Sequence, residues 1–227
     1  MIVDSNLPAS KEKLSFREEL QLQRWDDHRY YHHSRINQSL HLFSSVCFMT
    51  CYALLFINPG LAAMLGWFVA MCSRQIGHFF FEPRDYDEVN RATHEHKEAI
   101  KVGYNLHRKR VLQAIWALTP LVLYVNPTFF GIFEGHTTWN GFYQNVAIVW
   151  LWLGVIALVF RTVHLFFIEN VQTGLVWATK ILTDPFNDFV TYLKSPLYLM
   201  KGELIDPMIH VQHGGDHDEQ EQEALAR

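Results

Sequence analysis

The distribution of apolar residues most constrains what this chain can become. They gather in four blocks, roughly 39–57, 61–81, 111–133 and 142–168, while residues 1–36, the segment 82–110 and the C-terminal tail carry most of the charge. Blocks of about 20 residues can cross ~30 Å of hydrocarbon as helices. The pattern therefore predicts an all-α fold, an integral membrane four-helix bundle with cytoplasmic N- and C-terminal extensions. The overall composition conceals this, because 49% hydrophobic residues in a chain of 227 would also suit an ordinary single domain. Residues 1–38 contain no apolar h-region, so the first span is expected to act as its own anchor.

Orientation follows from lysine and arginine. Six basic residues fall in 11–36 and seven in 83–110, whereas Asn58-Pro59-Gly60 and the loop 126–141 have none. The positive-inside bias then predicts a multi-pass protein with both termini and the 82–110 loop in the cytoplasm. The expected organisation is a cytoplasmic segment over 1–38 and a membrane domain over 39–182 with a histidine-rich loop at 82–110. A cytoplasmic or interfacial helical segment over 183–207 follows, then a disordered acidic and histidine-rich tail over 208–227. In the third block Pro120 and the Asn126-Pro127 pair should kink or end the helix.

Several chemistries are excluded. The net charge of −4 and the orienting role of the basic residues argue against nucleic acid as a partner. No Gly-rich phosphate loop, Gly-x-Ser-x-Gly elbow or Cys-x2-Cys pair occurs, and Cys47, Cys51 and Cys72 lie in apolar blocks as small hydrophobes.

Histidine is the residue that points to function. His41, His78 and His164 lie inside apolar blocks at the same expected membrane edge, and ionisable groups in a bilayer usually mark working sites. His33, Asn37 and His41 share a face if a helix begins before the first block; a capped start near Ser34 would bring in His32 instead. His78 and Glu82 are i and i+4, and the loop offers His94 and His96, with Glu98 on the face of His94. The candidate ligands are thus His32, His33, His41, His78, His94, His96 and His164. Imidazole and carboxylate with open positions suit non-haem Fe(II) and also zinc.

The second and fourth blocks both end in an Arg, His, Glu set: Arg74, His78 and Glu82, then Arg161, His164 and Glu169. Arg74 and Glu82 are candidate catalytic residues, and Arg74, Arg84 and Arg161 are candidate partners for an acidic lipid head. Asp184-Pro185 is expected to break a helix, with Asp184 as the N-cap of the next one. Alternatively Asp184 or Asp188 orients a metal-bound histidine, a role also open to Asn37.

Two motifs carry a family resemblance. Tyr31-His32, Asn37 and His41 form Y-H-x4-N-x3-H, and Gln75, Gly77, His78, Phe81 and Glu82 form Q-x-G-H-x2-F-E. Over residues 25–85 the chain resembles the membrane-bound 2-hydroxy fatty acid dioxygenase family. That resemblance implies an iron-dependent enzyme that uses O2 to remove one carbon from a 2-hydroxylated fatty acid, with ligands at His32, His41 and His78. Competing expectations are a membrane di-iron fatty acid hydroxylase or desaturase, a b-type cytochrome with two of His41, His78 and His164 on haem, and a non-catalytic scaffold.

Overall fold

The computed structural model describes residues 14–82, 86–87, 90–104 and 106–208. Among these residues the chain is all-helical, and the only extended pairings are isolated bridges between Ser34 and Ile205 and between Asp87 and Ala92. Helix α1 is Phe16–Tyr31 and α2 is Arg35–Leu54. Helix α3 runs unbroken over 59–81 as Pro59–Met64, a π-helical stretch Leu65–Met71, Cys72–Ile76 and a second π-helical stretch Gly77–Phe81. Then come α4 (His94–Ile100), α5 (Leu106–Val125), α6 (Trp139–Ile168), α7 (Val171–Tyr192) and α8 (Ser195–Met200).

Local chemistry sets the helix starts. Ser15 and Glu18 form a reciprocal capping box on α1. Asn58, Thr93, Thr138 and Asn170 each accept a hydrogen bond from the backbone N–H three residues on, and so cap α3, α4, α6 and α7. Between α6 and α7 the chain reverses within two residues, and Gly174 makes this possible. A Cβ there would lie 2.5 Å from the Phe166 ring and 2.8 Å from the Thr162 carbonyl oxygen.

Two prolines lie inside helices, and one of them, Pro185, was expected to break its helix. Helix α5 continues through Pro120 and stops at Val125, just before Asn126-Pro127. Proline at 120 cannot donate to the Trp116 carbonyl, but the Trp150 indole N–H takes that acceptor at 3.0 Å, which compensates the lost bond. Helix α7 likewise continues through Pro185, so Asp184 is buried in mid-helix rather than capping a new one.

Helix α7 is the hub, touching α1, α2 and α6, while α3 lies against α2 and α6, α5 against α6, and α8 against α2. The apolar core joins Trp67, Leu123, Phe142, Val146 and Trp150, with the Trp67 indole donating to the Trp150 carbonyl at 2.8 Å. Among the described helices α6 alone is long and apolar enough to cross a membrane by length and composition. Helix α2 carries Asn37, Gln38, His41, Ser44 and Ser45, buried on its inner face, and α5 opens with His107-Arg108-Lys109-Arg110, so both helices are less apolar than α6.

The segment after α8 is ordered up to Met208. Arg35 N–H donates to the Leu204 carbonyl at 2.9 Å and Asp206 N–H to the His33 carbonyl at 2.8 Å, so residues 203–206 strap the break between α1 and α2. Met208, expected in the disordered tail, is fully buried. The rest of that tail, with His210, His213 and His217, lies outside the described residues.

Candidate metal centre

The break at residues 32–34 determines which histidines meet. Because α2 starts at Arg35, His33 is not on its helical face, and His32, carried at the end of α1, turns inward instead. His41 follows two turns into α2, and His78 sits in the second π-helical stretch of α3, a local geometry often found at functional sites. One ring nitrogen from each of His32, His41 and His78 lies within 4.8 Å of the others. The ring centroids are 4.0 Å apart for His32 and His41, 5.3 Å for His32 and His78, and 5.1 Å for His41 and His78.

Each ring is held from outside by a different oxygen. The Tyr192 hydroxyl lies 2.9 Å from His32 Nδ1, Asp188 Oδ2 3.4 Å from His41 Nδ1, and Glu82 Oε2 2.7 Å from His78 Nδ1. Where a carboxylate is the partner, Nδ1 must carry the proton and donate, which leaves Nε2 as a lone pair. The Nε2 atoms of His32 and His41 are buried without a hydrogen-bond partner among the described residues. Buried polar atoms are rarely left so. Three clustered imidazoles with outer nitrogens held by oxygens, two of them with a buried and unpartnered Nε2, match the donor set of a metal site whose ligands are oriented from a second layer.

Electrostatics favour neutral ligands. Burial, and then the neighbouring His41, hold His32 well below the ordinary histidine range. Burial and the surrounding aspartates push Tyr192 well above its ordinary value, so it remains a hydroxyl, bridging His28 Nδ1 at 3.2 Å as well as His32. Asp188 is also ion-paired with Arg74. Replacing Asp188 with Asn should free Arg74 and loosen His41, and we expect a 10–100-fold loss of metal affinity, measurable by titration with Co(II).

A hydrogen-bonded scaffold fixes the break itself. Gln38 Nε2 donates to the His32 carbonyl at 2.8 Å and to Asp206 Oδ2 at 2.9 Å, while Ser195 and Arg35 donate to Gln38 Oε1 at 2.6 and 2.8 Å. Burial opposes the Asp206 carboxylate, yet the Gln38 amide, the Met208 N–H and Arg35 outweigh it and hold its pKa below the ordinary 3.8. A depressed acid contributes stability above its unfolded value and loses it as pH falls through the folded one. The strap should therefore stay closed at neutral pH and loosen only below about pH 4, read as loss of hydrogen-exchange protection at the Arg35 and Asp206 amides.

The other sequence candidates do not join the triad. His33 Nε2 faces Asp87 at 3.4 Å and Asn90 at 3.1 Å. His164 Nδ1 meets its own helix neighbour Arg161 at 2.7 Å, and Arg161 donates to the Val102 carbonyl. Arg161 thus ties the 82–110 segment to α6 and does not line the cavity, so the echo between the two Arg, His, Glu sets does not extend to the cavity lining. His96 is exposed and His94 half-buried at the start of α4. Glu82 stands behind His78, and Arg84 lies outside the described residues. Asn37 supports the Tyr31 carbonyl, at 2.8 Å, rather than a ligand ring. Asp184 pairs with Lys180 at 3.4 Å and Arg24 at 3.8 Å, and burial, with Asp188, raises its pKa to about 6.

A cavity of about 840 Å³ opens from the triad. Arg74, Gln75, Lys101 and Lys109 line its polar side, and Leu55, Trp67, Met71, Leu112, Trp150 and Val155 its apolar wall. That size suits a small-molecule ligand, and the wall suits an apolar tail. Sequence reasoning missed Tyr192 and His28. The available signal was the spacing of Lys180, Asp184, Asp188 and Tyr192, four residues apart and all buried on one stripe of α7.

Comparison with models of protein families, with curated proteins and with solved structures finds no match. The functional reading therefore rests on the site itself.

Proposed function

We propose that this protein is a multi-pass membrane oxygenase in which His32, His41 and His78 hold one ferrous ion beside a lipid-sized cavity, acting on a fatty acid in the manner of a 2-hydroxy fatty acid dioxygenase. The observation that carries the proposal is the set of three imidazoles whose ring nitrogens converge within 4.8 Å, two of them buried without a partner among the described residues, beside a cavity with polar and apolar lining. When bound, Fe(II) would supply O2 binding and the redox capacity for oxidation. The protein's residues do the rest. Tyr192, Asp188 and Glu82 orient the rings, Arg74, Lys101 and Lys109, among cavity-lining aspartates that include Asp188, offer cations to a carboxylate, and the tryptophan and leucine wall excludes water from the acyl chain.

Membrane spanning by α2, α3, α5 and α6 is supported by large apolar residues turned outward on each, such as Phe43, Phe68, Leu121 and Phe160. The basic segments also converge, since Asn90 donates to the Arg29 carbonyl at 2.8 Å and joins the 82–110 segment to α1, in keeping with one cytoplasmic side. A third imidazole crowding His41 and His78 favours a bare ion over haem, and one triad among the described residues favours one metal over two.

One observation favours a second reading. The donor set holds three imidazoles and no carboxylate, as in three-histidine zinc sites that activate water. Full-length protein loaded anaerobically with Fe(II) and given 2-hydroxyhexadecanoic acid separates the two. The oxygenase reading expects a product one carbon shorter that forms only on adding O2. Absence of that product, with lipid-ester cleavage by the Zn(II)-loaded protein, would replace it with the hydrolase.

A further inference from the structure

Gln75 belongs to the second motif, yet neither the triad nor its outer partners use it. Its side chain is 9% exposed and lines the cavity, as does His78 three residues later in the same helical run. Its Oε1 atom is fully enclosed and has no hydrogen-bond partner among the described residues. The neighbouring Arg74 presents an equally enclosed Nε without a partner. Leaving a buried acceptor and a buried donor unmet costs free energy on both, so the cavity is built for a ligand that meets them.

The two atoms make different demands. The Arg74 Nε–H needs an acceptor, which a carboxylate supplies. The Gln75 Oε1 needs a donor, which neither a carboxylate nor a hydrocarbon chain can offer. We infer that Gln75 is the specificity-determining residue of the site, accepting a hydrogen bond from a hydroxyl carried next to the anionic group and so selecting hydroxylated over unsubstituted acyl chains. This rests on the lipid reading above and adds the residue that reads the hydroxyl. The discrimination comes from the penalty on an analogue without the hydroxyl, which leaves the amide oxygen buried and unmet.

The test compares binding of 2-hydroxyhexadecanoic acid and hexadecanoic acid to the full chain in lipid nanodiscs, with Zn(II) holding the triad so that no turnover occurs. Wild type is expected to prefer the hydroxy acid by about tenfold, the ratio that one good hydrogen bond provides. Gln75→Met, similar in size but without an acceptor, should bring the two affinities to within about twofold while its zinc content stays unchanged. Gln75→Glu keeps an acceptor, so it should bind both acids more weakly yet keep the preference. Equal binding of the two acids by wild type, a preference that survives Gln75→Met, or a preference lost in Gln75→Glu would each overturn the role of Gln75 and leave the lipid reading standing. Wild type that binds neither acid would overturn the lipid reading and this inference with it. If Gln75→Met does not fold, the ratio measured for Gln75→Glu decides.

Discussion

Replacing His41 with Ala is expected to abolish metal binding while leaving the helices in place. His41 is 1% exposed and stands nearest to His32 in the triad, and its Nε2 has no partner among the described residues. Truncation removes a buried polar group with an unmet nitrogen, which relieves a cost, and opens a void, which adds one. The two terms oppose each other, so the change in fold stability should be modest. Metal affinity behaves differently. Outer partners of ligating histidines cost 10–100-fold when lost, and loss of a ligand itself should exceed about a hundredfold. Co(II) titration with the visible spectrum as readout checks the affinity, and far-ultraviolet circular dichroism checks the helices. His41→Ala that binds Co(II) like wild type would mean the triad is not the site.

Gly77→Ala should destabilise the fold where α2 and α3 cross. A Cβ at position 77 would lie 2.0 Å from Asn37 Oδ1 and 3.0 Å from its Cγ. Asn37 cannot easily yield, because it is fully buried and its Nδ2 donates to the Tyr31 carbonyl at 2.8 Å. Forcing an extra methyl into a closed site costs about 1–3 kcal/mol, and breaking the Asn37 bond adds about 1 kcal/mol. The displaced carbonyl belongs to the residue before His32, so metal affinity should fall as well. Thermal unfolding should show a Tm lower by several degrees, and the double variant Gly77→Ala with Asn37→Ala should recover part of it, because the two residues share one contact. An unchanged Tm for Gly77→Ala would contradict the close crossing of α2 and α3.

The clustering of His32, His41 and His78 was legible in the sequence through the two motifs that carry the family resemblance. The two motifs specify both the histidines and the local features that aim them: a break before α2 for His32 and a side-chain-free position at Gly77 that lets α3 approach α2. His94, His96 and His164 were nominated chiefly by depth and proximity, and His33 by a helical face that requires α2 to begin earlier than Arg35. His33 and His164 meet other partners and His96 is exposed, while His94 is half-buried with its Nδ1 unpartnered among the described residues and is not in the triad. The outer layer was harder to read because Pro185 signals a helix end. The tertiary packing of α7 against α1, α2 and α6 carries the helix through that proline, and only then do Lys180, Asp184, Asp188 and Tyr192 align on one stripe. Asp188, not Asp184, faces His41 as a result. The π-helical stretches in α3 have no signature in a 3.6-residue period, so the position of His78 on its face could not be fixed from spacing alone.

Metal content tests the central claim most directly. Elemental analysis of freshly purified full-length protein, combined with its visible spectrum, should give about one iron per chain with no Soret band, and the triple variant His32→Ala, His41→Ala, His78→Ala should retain none. Wild-type protein that is metal-free as purified and binds neither Fe(II) nor Zn(II) on titration would contradict the account.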